Sequence, residues 1–180
     1  PREVTEPYVF EGPEELTHTA FVCDETAQYI RRHAGGTEPF FVIAGIYAPH
    51  APVNPPQRFV NMYNPDDMPL PAMNEGENPR GLSQAEWKKV KASYYALCTH
   101  IDDQVGRILA ALDETGLRKD TLVVFTSDHG EHLGDHGTIG KGPPGYDSCA
   151  HVPLIVSCPG RIPQGTRQRE LIEHVDLAPT

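Results

Sequence analysis

The stretch Ser127-Asp128-His129-Gly130-Glu131-His132-Leu133-Gly134-Asp135-His136-Gly137, closed by Gly140-Lys141-Gly142, concentrates more potential chemistry than any other part of this chain. Four of the nine histidines lie between positions 129 and 151. Asp128 offers an oxygen and His129 a nitrogen to a divalent cation, and Gly130 lets the backbone turn closely around such an ion. Asp-His-Gly also reads as a helix cap followed by a polar loop residue, and at this level both readings stand. A second dense stretch is Ala48-Pro49-His50-Ala51-Pro52, an imidazole in a loop stiffened by prolines. His132 and His136 share their loop with Asp135, which is placed to orient one of them from behind; structural or rim roles fit both. Asp102-Asp103 is a carboxylate pair, but Arg107 follows Asp103 by four positions on a helical pattern. That spacing predicts an ion pair on a solvated face rather than a metal site. Cys23, Cys98, Cys149 and Cys158 lie far apart with no CxxC spacing, so buried or free thiols are expected, Cys149 being the one near enough to the loop to line a pocket.

Both dense stretches follow apolar runs, which is where an α/β sheet presents ligands. Phe40 to Tyr47 predicts a buried strand over 39–47, and 121–127 predicts a second. Residues 152–158 predict a third, with Pro153 near its start or on an edge. A helix is predicted over 24–34, with Asp24 as its cap, Ala27 and Ile30 on one face and Gly35-Gly36 as its stop. Ser83 with Glu86 three residues on fits a capping box. The helix it opens runs to about Thr115, with Tyr94, Leu97, Ile101, Val105, Ile108, Leu109 and Leu112 at three- and four-residue steps, and Gly116 ends it. Residues 64–82, rich in Pro, Asn and Gly, predict an irregular surface excursion. Strands alternating with amphipathic helices argue for an α/β protein with a layered sheet covered by helices.

Composition narrows the partners. The 180 residues carry 15 Lys plus Arg against 25 Asp plus Glu, a formal charge of −10, which disfavours holding nucleic acid by its phosphates. No apolar run approaches the ~18 residues of a membrane span. Pro1-Arg2-Glu3-Val4 shows no initiator Met and no signal-peptide core, and Asp176 to Thr180 reads like an element beginning. Both ends are expected to belong to a longer protein.

The wider pattern resembles the sulfatase family of the alkaline phosphatase superfamily. The resemblance rests on SDHGEHLGDHG with a Gly-Lys whose Lys141 follows His129 by twelve positions, on Tyr47-Ala48-Pro49-His50-Ala51-Pro52, and on the helical Ile101 to Leu109. Thr121 to Ser127, Val152 to Val156 and Val175 to Thr180 continue it in the right order. It implies an α/β/α sandwich, alkaline-phosphatase-like and incomplete. It implies Asp128 and His129 as two ligands of the active-site cation, calcium in most of the family, with manganese the alternative because His129 supplies a nitrogen. It implies Lys141 against an oxygen of the sulfate, and His50 bonded to the ester and able to protonate the leaving oxygen.

Other family features are absent. Sulfatases attack sulfur with a formylglycine made from the Cys or Ser of C/S-x-P-x-R. Cys158-Pro159-Gly160-Arg161 misses that spacing, and no other cysteine fits it. The family's N-terminal carboxylate pair and second sulfate-binding Lys and His are also missing, and all of these precede the His50 segment in the family. The resemblance therefore implies that residues 1–180 are the C-terminal part of a catalytic domain, without the smaller C-terminal subdomain and without a nucleophile. Its expected partners are the missing N-terminal part and a sulfated small molecule or glycan, and alone it is expected to be inactive. The alternatives are a phosphonate monoester or phosphodiester hydrolase of the same superfamily, and a degenerate binding domain. The family resemblance favours a periplasmic or secreted setting; the residues themselves leave the cytoplasm open.

Overall fold

The computed structural model describes residues 4–143 and 145–179. Its spine is α3 (Gln84–Glu114), 31 residues, or about 46 Å at 1.5 Å per residue. The Ser83 hydroxyl accepts from the Glu86 amide and the Glu86 carboxylate accepts from the Ser83 amide, the reciprocal capping predicted from the sequence. Gly116, at φ 73°, takes the left-handed turn that stops the helix.

Two separate cores sit along this helix. Near its C-terminus Ala111 and Leu112 pack against Ala27 and Ile30 of α1 (His18–His33), with Phe40, Leu117 and Val123 around them. Near its N-terminus Val90 and Leu97 join Val53 and Leu133, with Ala48, Ala51, Tyr94 and Ile139 at the margin. Helix α1 begins earlier than 24–34 because Thr17, not Asp24, caps it, its hydroxyl accepting from the Ala20 amide at 3.2 Å. Asp24 lies inside the helix, where its carboxylate accepts from Arg107 at 2.9 Å.

That pairing corrects a second expectation. Arg107 does not bond Asp103 on its own helix. The Arg58 guanidinium of α2 (Gln57–Val60) reaches Asp103 at 2.7 Å and Glu14 at 2.6 Å, and lies 3.9 Å from the centre of the Phe59 ring. One planar fork satisfies two carboxylates from different parts of the chain, a geometry an i,i+4 pair cannot match. It holds both carboxyls below their usual range.

The sheet is smaller than predicted. β1 (Val123–Thr126) and β2 (Leu154–Ser157) pair antiparallel, Val123 opposite Ser157 and Thr126 opposite Leu154. Pro153 precedes β2, where no donor is required. Residues 39–47 form no ladder among the described residues, and Phe41 and Ile43 stand 85% and 77% exposed. The apolar run is there, but an extended segment becomes a strand only beside a partner. The 64–82 excursion is irregular as expected, apart from a short 3-10 turn at Pro65–Asp67. No helix among the described residues is long and apolar enough to cross a membrane.

Cys23, Cys98 and Cys158 are packed into the fold. Cys23 is buried and Cys98 half-buried, and burial pushes each thiol up to about 11, away from thiolate chemistry. Cys158 is buried, its thiol facing the Lys119 carbonyl, while Arg161 pairs with Asp120 at 3.0 Å.

His100 of α3 is 1% exposed, 4.9 Å from the Phe59 ring, and neither ring nitrogen has a hydrogen-bond partner. Burial lowers its pKa, Glu14 and Asp103 act against that, and Arg58 adds to it. The native state thus binds a proton at His100 less readily than the unfolded chain does. The associated stability is complete above the ordinary imidazole value of about 6.5 and is lost as pH falls below it. His100→Leu removes two unsatisfied buried nitrogens, which cost about 1–3 kcal/mol each. It should melt no lower than wild type at pH 7.5 and lose part of the drop in Tm between pH 7 and pH 5. Thermal melts at the three pH values check this; an unchanged drop would exclude His100 as its source.

Candidate active site

Among the described residues, those between β1 and β2 contain a short α-helix, α4 (Asp147–Ala150), and a 3-10 turn at Asp135–Gly137, and otherwise depend on tertiary contacts for their shape. The Gly130 amide donates to the Cys149 carbonyl at 2.7 Å, and a Cβ at Gly130 would meet the Ser148 carbonyl at 2.2 Å. Only glycine permits that approach. His132, 3% exposed, bonds the Ser148 hydroxyl at 2.8 Å, and His136 stacks on Tyr146 with ring centres 3.9 Å apart. Both rings are thus engaged by side chains from residues 146–148. Asp135 orients neither: its carboxylate accepts from the Ala72 amide at 2.9 Å and lies 3.8 Å from the buried Lys91 ammonium.

The excursion is bolted to this loop. The His136 amide donates to the Ala72 carbonyl at 2.8 Å, and a Cβ at Gly134 would meet Pro71 and the Trp87 ring at 2.7 Å. The excursion thereby forms a pocket of about 290 Å³ over Trp87, lined by Leu70, Pro71, Met73, Asn74 and Leu82 among others.

The sequence-selected residues meet at the open end of β1. The His129 and His50 rings lie 6.3 Å apart, and the Lys141 ammonium reaches His129 Nε2 at 2.8 Å. His129 Nδ1 faces the Gly130 carbonyl at 2.7 Å, and a carbonyl only accepts, so Nδ1 carries the proton. The Nε2 lone pair then accepts from Lys141. His50 Nδ1 likewise donates to the Ala51 carbonyl at 3.0 Å, and its ring leans on Tyr47, whose hydroxyl donates to the same carbonyl at 2.9 Å. Asp128 caps no helix. Its carboxylate, 87% exposed, accepts from the His129 amide at 3.0 Å.

His129 Nε2 and an Asp128 oxygen are 3.8 Å apart. Two neighbouring ligands take that spacing when each lies about 2.0–2.5 Å from one ion. Among the described residues no group of three or more His, Cys, Asp and Glu is placed to hold a metal. Two imidazoles and an ammonium gathered at one strand end can donate hydrogen bonds to an oxyanion.

The model of the family described as Sulfatase matches residues 3–180. The chain belongs to the Sulfatase family. An arylsulfatase of Clostridium perfringens is 36% identical over 194 residues, covering 98% of this chain and 40% of that sulfatase. Iduronate 2-sulfatase of Homo sapiens is 31% identical over 85% of this chain and 32% of that one. Among solved structures, the phosphonate monoester hydrolase of Silicibacter pomeroyi superposes with a TM-score of 0.74 at 32% identity, over 83% of this chain and 34% of that one. The fold is thus a partial α/β domain of alkaline-phosphatase-like sulfatases, and the chain spans two fifths or less of these relatives' lengths.

Three contributors escaped the sequence. Glu131 accepts from two loop amides, Ser148 holds His132, and His174 Nε2 donates to the Ser127 carbonyl at 2.9 Å. Their partners are 2 to 47 positions away with no periodic spacing, so no pattern marked them.

Asp135 joins the site loop, the excursion and α3. Asp135→Ala leaves the Ala72 amide unbonded and the buried Lys91 without its carboxylate. It should cost about 1–3 kcal/mol and speed proteolysis between residues 73 and 81. Limited proteolysis beside a thermal melt checks this; wild-type cleavage would mean that the excursion is held elsewhere.

Proposed function

We propose that the complete protein is a sulfuric ester hydrolase acting on a sulfated small molecule or glycan, and that residues 1–180 form the C-terminal part of its catalytic domain. The observation that carries this reading is the meeting of His50, Asp128, His129 and Lys141 at one strand end in a chain of the Sulfatase family. Asp128 and His129 are proposed as two ligands of a divalent cation, calcium by family precedent and manganese as the alternative. Such a cation supplies charge stabilisation at the sulfuryl oxygens and acidifies the attacking hydroxyl. The nucleophile, a formylglycine in this family, is expected in the part of the domain that precedes these residues.

Within that frame each side chain has a task. Lys141 places a compact positive charge beside a non-bridging oxygen, where charge redistributes as the S–O bond breaks. His50 turns its Nε2 outward because Nδ1 is tied to Ala51; protonated there, it donates to the departing oxygen. The exposed Phe41, Ile43, Val124 and Ile155 side chains are proposed to be covered by the remainder of the domain. The 180-residue chain alone is expected to lack turnover and to bind calcium poorly, because two donors fall short of the ~6–8 a calcium site takes.

Hydrolysis of phosphonate monoesters or phosphate diesters is the second reading, favoured by the superposition on phosphonate monoester hydrolases, TM-scores 0.74 and 0.73. Relative kcat/KM on aryl sulfate, aryl phosphonate and aryl phosphate diester separates the two.

In the complete protein, Lys141→Ala should lower kcat/KM on the preferred ester by about 10²-fold or more, on the scale of losing one preorganised donor. Its Tm should shift by about 0.5 kcal/mol equivalent or less, since Lys141 is exposed. Lys141→Arg should recover only part, because its donors splay in a plane. Near-wild-type kinetics in the Ala variant would remove Lys141 from the site, and a collapsed melt would make it structural.

A further inference from the structure

The ammonium of Lys141 matters only where its loop puts it, and that loop has little structure of its own. Between Leu133 and Gly140, five residues adopt positive φ, including Leu133 at 51° and His136 at 55°, which carry side chains. For those two the left-handed backbone costs of order 1–3 kcal/mol each, and ordering each residue of the turn costs about 1–2 kcal/mol more. Something must hold the turn closed. One carboxylate oxygen of Glu131 accepts from the Leu133 amide at 3.1 Å and from the Gly140 amide at 2.5 Å. The Gly140 carbonyl in turn accepts from the His132 amide at 3.1 Å. Gly140 is therefore clamped to residues 131–132 through both its donor and its acceptor, and Lys141 is the next residue.

We propose that Glu131 is the positioning residue of Lys141, its carboxylate closing the 131–140 turn so that the ammonium meets His129. It touches no reacting atom on this account. Bonds from backbone amides to an ionised carboxylate are stronger than neutral ones, and a single acceptor shared by both ends of the turn links their order. The inference rests on the reading of Lys141 as the anion contact, and its test separates the two.

Glu131→Gln keeps an acceptor oxygen at the same place; Glu131→Ala does not. In the complete protein, amide hydrogen exchange at Gly140 should accelerate about 10-fold or more in the Ala variant and by much less in the Gln variant, a bond to a charged group being worth at least one decade. The ¹⁵N shift of His129 Nε2, recorded without added cation, should move in Glu131→Ala in the same direction as in Lys141→Ala. Kinetically, Glu131→Ala should lower kcat about 10-fold with KM little changed, and should cost no more than about twofold when added to Lys141→Ala, since its effect passes through that side chain. Unchanged exchange at Gly140, an unmoved Nε2 shift, or multiplicative losses in the double variant would each overturn the proposal. If wild type turns over no ester, the hydrolase reading fails, while exchange and the Nε2 shift still decide whether Glu131 positions Lys141.

Discussion

The N-terminal half of α3 is the surface on which the two chemical loops are assembled. Val90 and Leu97 share one apolar core with Val53, and Ala48 and Ala51, the flanks of the His50 loop, pack against it. Leu133 of the second loop belongs to the same core, and Ile139 packs against it. Burying a Val or Leu side chain is worth about 1.5–3 kcal/mol, enough to offset the left-handed backbone that Leu133 adopts. Without this shared apolar seat nothing local would bring the His50 ring to 6.3 Å from that of His129, for among the described residues the two stretches share no ladder.

Above that seat the arrangement is governed by hydrogen-bond direction. Carbonyls fix the protons of His50 and His129 on Nδ1, so both imidazoles present Nε2 outward. In His129 that lone pair accepts from an ammonium, the same lone pair a divalent ion would take. The proposed anion contact, Lys141, lies in a chain of net charge −10. Screening limits distant charges to about 8 Å at physiological salt, so acidic groups farther than that from Lys141 have little effect on its field.

What the sequence made legible was local. The Ser83–Glu86 capping box spans three residues and appears as read, and so do the stop at Gly116 and the two paired strands, each shortened at its ends. The residues that meet at the end of β1 stand in a contiguous motif around Asp128 and a Pro-flanked one at His50, which is why the sequence singled them out. Tertiary competition overrode the rest. Thr17 took the cap assigned to Asp24, and Arg58, 45 positions from Asp103, displaced the expected Arg107 pairing. Residues 39–47 carry a strand's composition without a partner to pair with among the described residues. Glu131 was invisible because a carboxylate's grip on two amides, one nine positions away, leaves no periodic trace.

The central claim is that Asp128 and His129 share a cation beside an anion held by Lys141. Anomalous diffraction from crystals of the complete protein, grown with manganese and sulfate, tests it most directly. The account predicts a metal peak about 2.0–2.5 Å from both an Asp128 oxygen and His129 Nε2, with a sulfate oxygen within hydrogen-bond distance of Lys141 Nζ. A metal bound away from those two residues, or a sulfate that leaves Lys141 on His129, would contradict it.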